Sequence, residues 1–216
     1  MDYKIVFIDE EIEQQEIFAR HFKSLCDSAI VSCEFPLQTV DEMQEKIWSL
    51  HPDAIVTDFR LNEIREEINY VVTYDGIDLL NEIRAKREGF PCFVITSFDD
   101  QAVDVSADVN LVYDKSLLLS SRENETMPFA LRVTRQIDKY RTKIENARQE
   151  LAELISNYKP ETVDLQYERR IIELDSFLEK ALGAENPIPS GLKQLSNLNR
   201  LNKLIGKVDE LLAKVQ

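Results

Sequence analysis

Asp9 and Glu10 follow the apolar run KIVFI, Asp58 follows DAIVT, Thr96 and Ser97 follow FPCFVI, and Lys115 comes just after NLVYD. Three carboxylates, a hydroxyl and an ammonium can hold a divalent cation and handle a phosphoryl group. Mg²⁺ takes oxygen ligands and keeps several waters, so Asp9, Glu10 and Asp58 can supply it, directly or through water, together with a phosphate oxygen. With the cation screening its charge, one carboxylate can attack phosphorus. Asp58 stands alone at the tip of the central run and is the best candidate for that role. Lys115 is suited to pair with the acyl phosphate, and the Thr96 hydroxyl to donate to a phosphoryl oxygen. Each residue taken singly has a plainer reading: an Asp after a strand is commonly a turn former or cap, and Asp9-Glu10-Glu11 would favour a helix N-terminus. The conjunction of all of them, in order and each at a strand end, carries the chemical reading.

Such a set needs a scaffold that gathers distant residues. In an open α/β sheet, side chains at the carboxyl ends of parallel strands converge on one crevice. The first part of the chain alternates β-like runs with amphipathic stretches, the pattern of a parallel sheet covered on both faces. KIVFI, AIVSCEF, DAIVT, CFVIT and NLVYD read as five strands, and Glu11 to Leu25, Val40 to Leu50, Gly76 to Lys86 and a short stretch from Asp99 to Ala107 read as helices. The predicted fold is α/β, a doubly wound parallel sheet with its switch point beside the first strand. One connection is long: RLNEIREEINYVVTY, between Asp58 and the Asp75-Gly76 turn, reads equally as a flap over the site or as a variable insertion.

After Pro128 the pattern is helical throughout. Val133, Ile137, Tyr140, Ile144, Ala147, Leu151, Leu154 and Tyr158 recur at steps of four and three, a heptad seam that wants a helical partner. Lys159-Pro160 breaks it. A second seam runs through Tyr167, Ile171, Leu174, Leu178 and Ala181, and Ser190 can cap a third helix carrying Leu195, Leu198, Leu201, Ile205, Val208, Leu212 and Val215. The expected division is a sheet domain over 1–127 and an all-α hairpin or three-helix bundle over 128–216, with helices at about 128–158, 163–182 and 190–215. The seam serves either as the core of that bundle or as a dimer coiled coil.

The formal charge of −14 is uneven, with 28 acidic and 14 basic residues through Lys139 and 12 of each after it. Phosphate backbones are bound by Lys and Arg releasing counterions, so no nucleic-acid partner is expected. No apolar run approaches the roughly 20 residues of a membrane-spanning helix, and the first residues enter a strand with no basic or cleavage-type segment, so a cytoplasmic protein is expected. Cys26, Cys33 and Cys92 lack the pairing of zinc ligands and read as reduced thiols in apolar surroundings. His21 and His51 have no ligand-like spacing; solvated or helix-end positions are expected for both.

Residues 3 to about 125 resemble the receiver domain of two-component response regulators. The residues that carry the resemblance are the acidic pair Asp9-Glu10, Asp58 in IVTDFRL, Asp75-Gly76, Thr96 in VITS, and Lys115. The resemblance implies a flavodoxin-like sheet of strand order 2-1-3-4-5. It implies Mg²⁺ held by Asp9, Glu10, Asp58 and the backbone carbonyl of Arg60, with Asp58 phosphorylated by a histidine kinase or phosphotransfer protein. Thr96 and Lys115 would then read the phosphoryl group and move the face formed by the fourth helix, fifth strand and fifth helix. The chain departs from the family in four places. Asn62 lacks the proline often found shortly after the acceptor, the following loop is about ten residues longer than usual, Ser116 replaces the proline after the lysine, and Val112 stands where an aromatic is usual.

A phosphorylation-controlled regulator is thus expected, with a helical part that dimerises or binds a protein partner. No enzymatic activity is expected beyond self-phosphorylation from a phosphodonor and autodephosphorylation. A phosphorylation-independent scaffold is the alternative. A Mg²⁺-dependent phosphohydrolase is disfavoured, because Arg60 stands where a second acid would follow the nucleophile.

Overall fold

The computed structural model describes residues 2–63, 70–97, 109–119, 127–157, 165–183 and 188. Five strands, β1 (Tyr3–Ile8), β2 (Ala29–Glu34), β3 (Ala54–Thr57), β4 (Cys92–Thr96) and β5 (Val112–Asp114), form one parallel sheet of order β2-β1-β3-β4-β5. Three helices follow the first three strands: α1 (Ile12–Leu25), α2 (Val40–Ser49) and α3 (Gly76–Lys86). A long helix α4 (Phe129–Ser156), a further helix α5 (Leu165–Leu182) and two 3₁₀ turns, Val109–Leu111 and Lys115–Leu118, complete the described elements. The fold is the flavodoxin-like doubly wound sheet expected from the sequence, followed by helices. The helix expected over Asp99 to Ala107, the one expected over 190–215 and the break at Lys159-Pro160 lie outside the described residues.

Successive strand residues point to opposite faces. Ile5, Phe7, Ala54, Val56, Phe93 and Ile95 join Phe18 and Phe22 of α1 and Phe129, Ala130, Val133 and Ile137 of α4 in one buried cluster. Aromatic rings fill its centre, with Phe7 stacked on Phe18 at 3.9 Å and Phe129 set edge-on to Phe22 and Phe93. The intervening positions Val6, Ile8, Ile55 and Val94 are buried as well, as are Met43 and Ile47 of α2 and Leu79, Leu80 and Ile83 of α3. A sheet buried on both faces explains why its strands read as unbroken apolar runs.

The helix starts are set by local chemistry. Thr39 and Asp75 each accept a hydrogen bond from the third residue of the following helix, and the side chains of Glu42 and Asp78 answer by accepting from the cap amides. His21 corrects the expectation of a solvated or helix-end position. It shares the inner face of α1 with Phe18 and Phe22, is buried, lies 3.1 Å from the Leu118 carbonyl through Nδ1, and accepts from the Ala130 amide at Nε2. His51 does stand at a helix end, exposed and with a positive φ of 51° just past α2. The three cysteines are free thiols, Cys92 fully buried and the others half-buried.

Two compact units divide the chain, Met1–Arg141 and Thr142–Gln216. Their boundary falls inside α4, because Phe129 to Ile137 belong to the sheet's core and Arg141 is held within the first unit. The Arg141 guanidinium pairs with Asp53 at 2.8 Å and donates to the Asp2 carbonyl at 2.9 Å. In the second unit Ala147, Leu174 and Leu178 are buried together, with Ile144, Leu151, Leu154 and Phe177 against them. A bidentate Arg170–Glu150 pair, with bonds of 2.6 and 2.7 Å, and Lys143 over the Phe177 ring tie α5 to the later turns of α4. The heptad seam is therefore shared between two cores: Val133 and Ile137 face the sheet, and Ile144 to Leu154 face α5. Among the described residues no helix is long and apolar enough to cross a membrane.

Candidate functional site

Strand register brings the acids together. Ile8 pairs with both Glu34 and Thr57, so Asp9 and Asp58 are the next residues on adjacent parallel strands. Their amides continue the ladder, Asp58 N–H donating to the Ile8 carbonyl at 2.8 Å and Asp9 N–H to the Glu34 carbonyl at 3.3 Å. From α1, the Gln15 amide nitrogen donates to the Asp9 carbonyl at 2.8 Å and reaches the Glu34 carbonyl at 3.4 Å, fixing the end of β1. On the other side Thr96 closes β4 and pairs with Asp114, the residue before Lys115.

Lys115 opens a 3₁₀ turn, Lys115–Leu118, whose cap is the Asp114 carboxylate accepting from the Ser116 amide at 2.6 Å. Proline at 116 would have no such donor, so the serine at this position is matched by a local hydrogen bond. The turn directs the lysine back over the strand ends. Its Nζ lies 2.8 Å from Asp58 Oδ1 and 2.9 Å from Asp9 Oδ2. The remaining carboxylate oxygens are also bonded: Asp58 Oδ2 accepts from the Arg60 amide at 2.7 Å, and Asp9 Oδ1 from the Glu11 amide at 2.9 Å.

Burial dominates the electrostatics. Asp9, Glu10, Asp58 and Thr96 are each at most 4% exposed. Burial pushes the Asp9 carboxyl up to about 6, Lys115 pulling it down and Asp58 raising it further. Glu10 is pushed up to about 8, again chiefly by burial, with the Asp9 and Asp58 charges adding to it. For Lys115, burial favours the neutral amine, but the Asp58 and Asp9 carboxylates outweigh it and hold the group above its ordinary value. The site therefore holds more buried carboxyl groups than Lys115 can neutralise, and burial favours their protonation until a further cation is present.

An all-oxygen set with surplus carboxyl groups fits a hard divalent cation. Among the described residues no three His, Cys, Asp or Glu side chains form a ready-made cage. That is the donor chemistry of Mg²⁺, which is bound through one or two carboxylates and completes its shell with water and phosphate oxygens.

Of the residues singled out from the sequence, Asp9, Asp58 and Lys115 are in direct contact, Glu10 is buried beside Asp9 in the chain, and Thr96 is buried at the end of β4. Ser97 is exposed. Arg60 turns its side chain to Glu63 at 3.2 Å and its amide to Asp58.

Sequence reasoning missed the role of Gly76. A Cβ there would stand 1.9 Å from the Asp58 carbonyl oxygen, and the Gly76 amide donates to the Phe59 carbonyl at 2.8 Å. The visible signal was Asp75-Gly76 opening a helix, which explains the Asp as a cap but not the Gly. Gln15 was missed too, since nothing in its spacing separates it from the polar face of α1.

No protein-family model matches the chain, and no curated protein does. Among solved structures, the non-phosphorylated receiver domain of the stress response regulator RcsB from Escherichia coli is similar at 14% identity, over 54% of this chain and 83% of that one, with a TM-score of 0.41. The signal receiver domain of NarL from Mycobacterium tuberculosis is similar at 21% identity, over 56% and 88%, with a TM-score of 0.38. RcsB from Salmonella enterica serovar Typhimurium, bound to a promoter in the presence of the phosphomimetic beryllofluoride, is similar at 14% identity, over 92% and 98%, with a TM-score of 0.42. That protein is bound to a promoter, and the expectation of no nucleic-acid partner is corrected accordingly. That expectation rested on charge alone, an acidic excess through Lys139 and a balance of 12 acidic and 12 basic residues after it, and charge balance does not exclude a locally basic surface.

Proposed function

We propose that this protein is a response regulator whose Asp58 accepts a phosphoryl group from a phosphohistidine donor, with Mg²⁺ bound at Asp9, Glu10, Asp58 and the Arg60 carbonyl. The observation that carries this reading is the Lys115 ammonium held between Asp58 and Asp9, at 2.8 and 2.9 Å, in a buried carboxylate cluster at the strand ends. When bound, the cation would screen the carboxylates and the incoming phosphoryl oxygens from one another. An Asp58 carboxylate oxygen attacks phosphorus, the P–O bond forms as the donor's P–N bond breaks, and the imidazole leaves with the electron pair. Lys115 exchanges its contact with Asp58 for one with a phosphoryl oxygen, and the Thr96 hydroxyl donates to another. The helical unit beyond Arg141 is the output, acting through dimerisation or a protein partner.

Acetyl phosphate provides the direct test. Wild type should gain one phosphoryl group by intact mass when Mg²⁺ is present and none without it, and Asp58→Asn should gain none. Absence of uptake by the wild type would leave a phosphorylation-independent scaffold as the better account. Continuous release of phosphate over many turnovers would instead mark a hydrolase.

Metal binding should depend on pH, because the carboxyls of Asp9 and Glu10 must lose their protons to serve as ligands. Both are raised, to about 6 and about 8, so Mg²⁺ affinity should climb between pH 6 and 8 and level off above. Where one proton is displaced, the slope is on the order of ten-fold per pH unit. Calorimetry in two buffers of different ionisation enthalpy would read the protons released. An affinity independent of pH over that interval would contradict the assignment of these two ligands.

A further inference from the structure

The connection from Asp58 to α3 is fastened at its far end. Tyr70 Oη donates to the Pro36 carbonyl at 2.8 Å, Tyr74 Oη to the Leu37 carbonyl at 2.9 Å, and Thr73 Oγ1 to the Gln38 carbonyl at 3.3 Å. Three hydroxyls from one short stretch thus meet three consecutive carbonyls of the β2–α2 connection. The stretch is packed as well as bonded, since Val72 and Tyr74 are 5% and 3% exposed. A buried phenol is costly unless its hydroxyl is satisfied, and the Leu37 carbonyl satisfies it. The described part of the long loop is therefore a strap tied across to α2's entrance.

The strap leads directly into the acceptor. Two residues after Tyr74 comes Gly76, whose amide donates to the Phe59 carbonyl at 2.8 Å and whose α-carbon is pressed against the Asp58 carbonyl. Phe59 is followed by Arg60, whose amide holds Asp58 Oδ2 at 2.7 Å. Tyr74 is thus joined through Asp75 to Gly76, and Gly76 meets the two successive carbonyls of Asp58 and Phe59. The Asp75–Asp78 capping box stiffens the link, because it fixes Asp75 to the first turn of α3.

We infer that Tyr74 is a positioning residue for Asp58: its hydroxyl, anchored on the Leu37 carbonyl, fixes Gly76 and through it the turn that presents the acceptor carboxylate. Tyr70 and Thr73 hold the strap in register on the neighbouring carbonyls. The stretch from Tyr70 to Tyr74 then adds a second support to the acceptor turn, from the β2–α2 connection. The inference rests on the reading of Asp58 as acceptor.

Tyr74→Phe in the full chain removes the hydroxyl and keeps the buried ring, and Tyr70→Phe serves as the comparison on the exposed side of the strap. Amide hydrogen exchange should quicken by about five-fold at Gly76 and Arg60, the loss of one ordinary hydrogen bond, while Phe7 and Val56 within the sheet stay as in wild type. Mg²⁺-dependent beryllofluoride binding should weaken by a similar factor in Tyr74→Phe and less in Tyr70→Phe. Unchanged exchange at Gly76 and Arg60, or an equal rise across the whole sheet, would overturn the positioning role, as would unchanged beryllofluoride affinity. Failure of the acceptor reading shows separately: a wild type that binds no beryllofluoride removes that reading and this inference with it, whatever the exchange pattern.

Discussion

Replacing Lys115 by methionine is expected to destabilise the metal-free protein by about 3 kcal/mol at pH 8, the low end for removing one partner of a buried ion pair. Methionine keeps most of the aliphatic stem, so the loss isolates the charge. Without the ammonium, Asp9 and Asp58 face each other with the Glu11 and Arg60 amides as their partners among the described residues. The cost must then depend on pH in a definite direction. Asp9 already stands at about 6 with Lys115 pulling it down, so removing the lysine raises it further. An unfolded Asp titrates near its ordinary value of about 4. A folded value above the unfolded one means that the destabilisation is absent below pH 4 and complete above the folded value. The gap in urea midpoint between wild type and Lys115→Met should therefore close as pH falls from 8 to 4. Mg²⁺ should restore stability to Lys115→Met more than to wild type, since a bound cation stabilises the folded state most where its charge is most needed. A gap of constant size across that pH range would mean that lost packing, and not charge, sets the cost.

The charge cluster behind this prediction was legible in the sequence for a simple reason. Strands buried on both faces are continuous apolar runs, and an acid that ends such a run stands out. KIVFI, DAIVT and CFVIT lie within or overlap β1, β3 and β4, so Asp9 and Asp58 stand one residue past the ends of β1 and β3, and Thr96 ends β4. The limits of the elements were less visible. NLVYD spans the junction of a 3₁₀ turn, Val109–Leu111, and a strand that begins at Val112, two conformations that this short apolar stretch does not distinguish.

Where a property depended on what an element packs against, sequence pattern failed in an instructive way. Steps of three and four in α4 describe a helix lying on a sheet and a helix lying on a helix equally well. Nothing in the spacing of Ile137, Tyr140 and Ile144 marks the change from the sheet's core to the core shared with α5. His21 failed for the same reason: its burial depends on two backbone groups, at Leu118 and Ala130, about a hundred residues away. Sequence alone offers a flap or a variable insertion here, because hydroxyl-to-carbonyl bonds across 34 to 37 residues leave no local trace.

Gly76→Ala should cost the protein more function than stability. Alanine at the start of an ordinary helix is neutral or helpful, because glycine orders at greater entropic cost. Gly76 is not among the glycines with positive φ, so backbone conformation gives no reason for its presence. Space does. The added Cβ would lie 1.9 Å from the Asp58 carbonyl oxygen and 3.0 Å from both the carbonyl carbon and Thr57 Cγ2. The first of these is a backbone atom with no rotamer to change, so α3 must back away or the end of β3 must bend. Forcing extra volume into a packed contact of this kind costs about 1–3 kcal/mol, which exceeds the gain in helix propensity of at most about 1 kcal/mol. A net loss of about 1–2 kcal/mol is expected in urea titration. The displacement falls on the residue whose carboxylate must meet Lys115 at 2.8 Å. Acceptors must be held to within roughly half an ångström to react well, so phosphoryl uptake from acetyl phosphate should fall by more than ten-fold while the sheet remains folded by circular dichroism. A Gly76→Ala protein that is more stable than wild type and takes up phosphoryl at the full rate would show that α3 can yield freely, and that the close approach to Asp58 has no part in holding the acceptor.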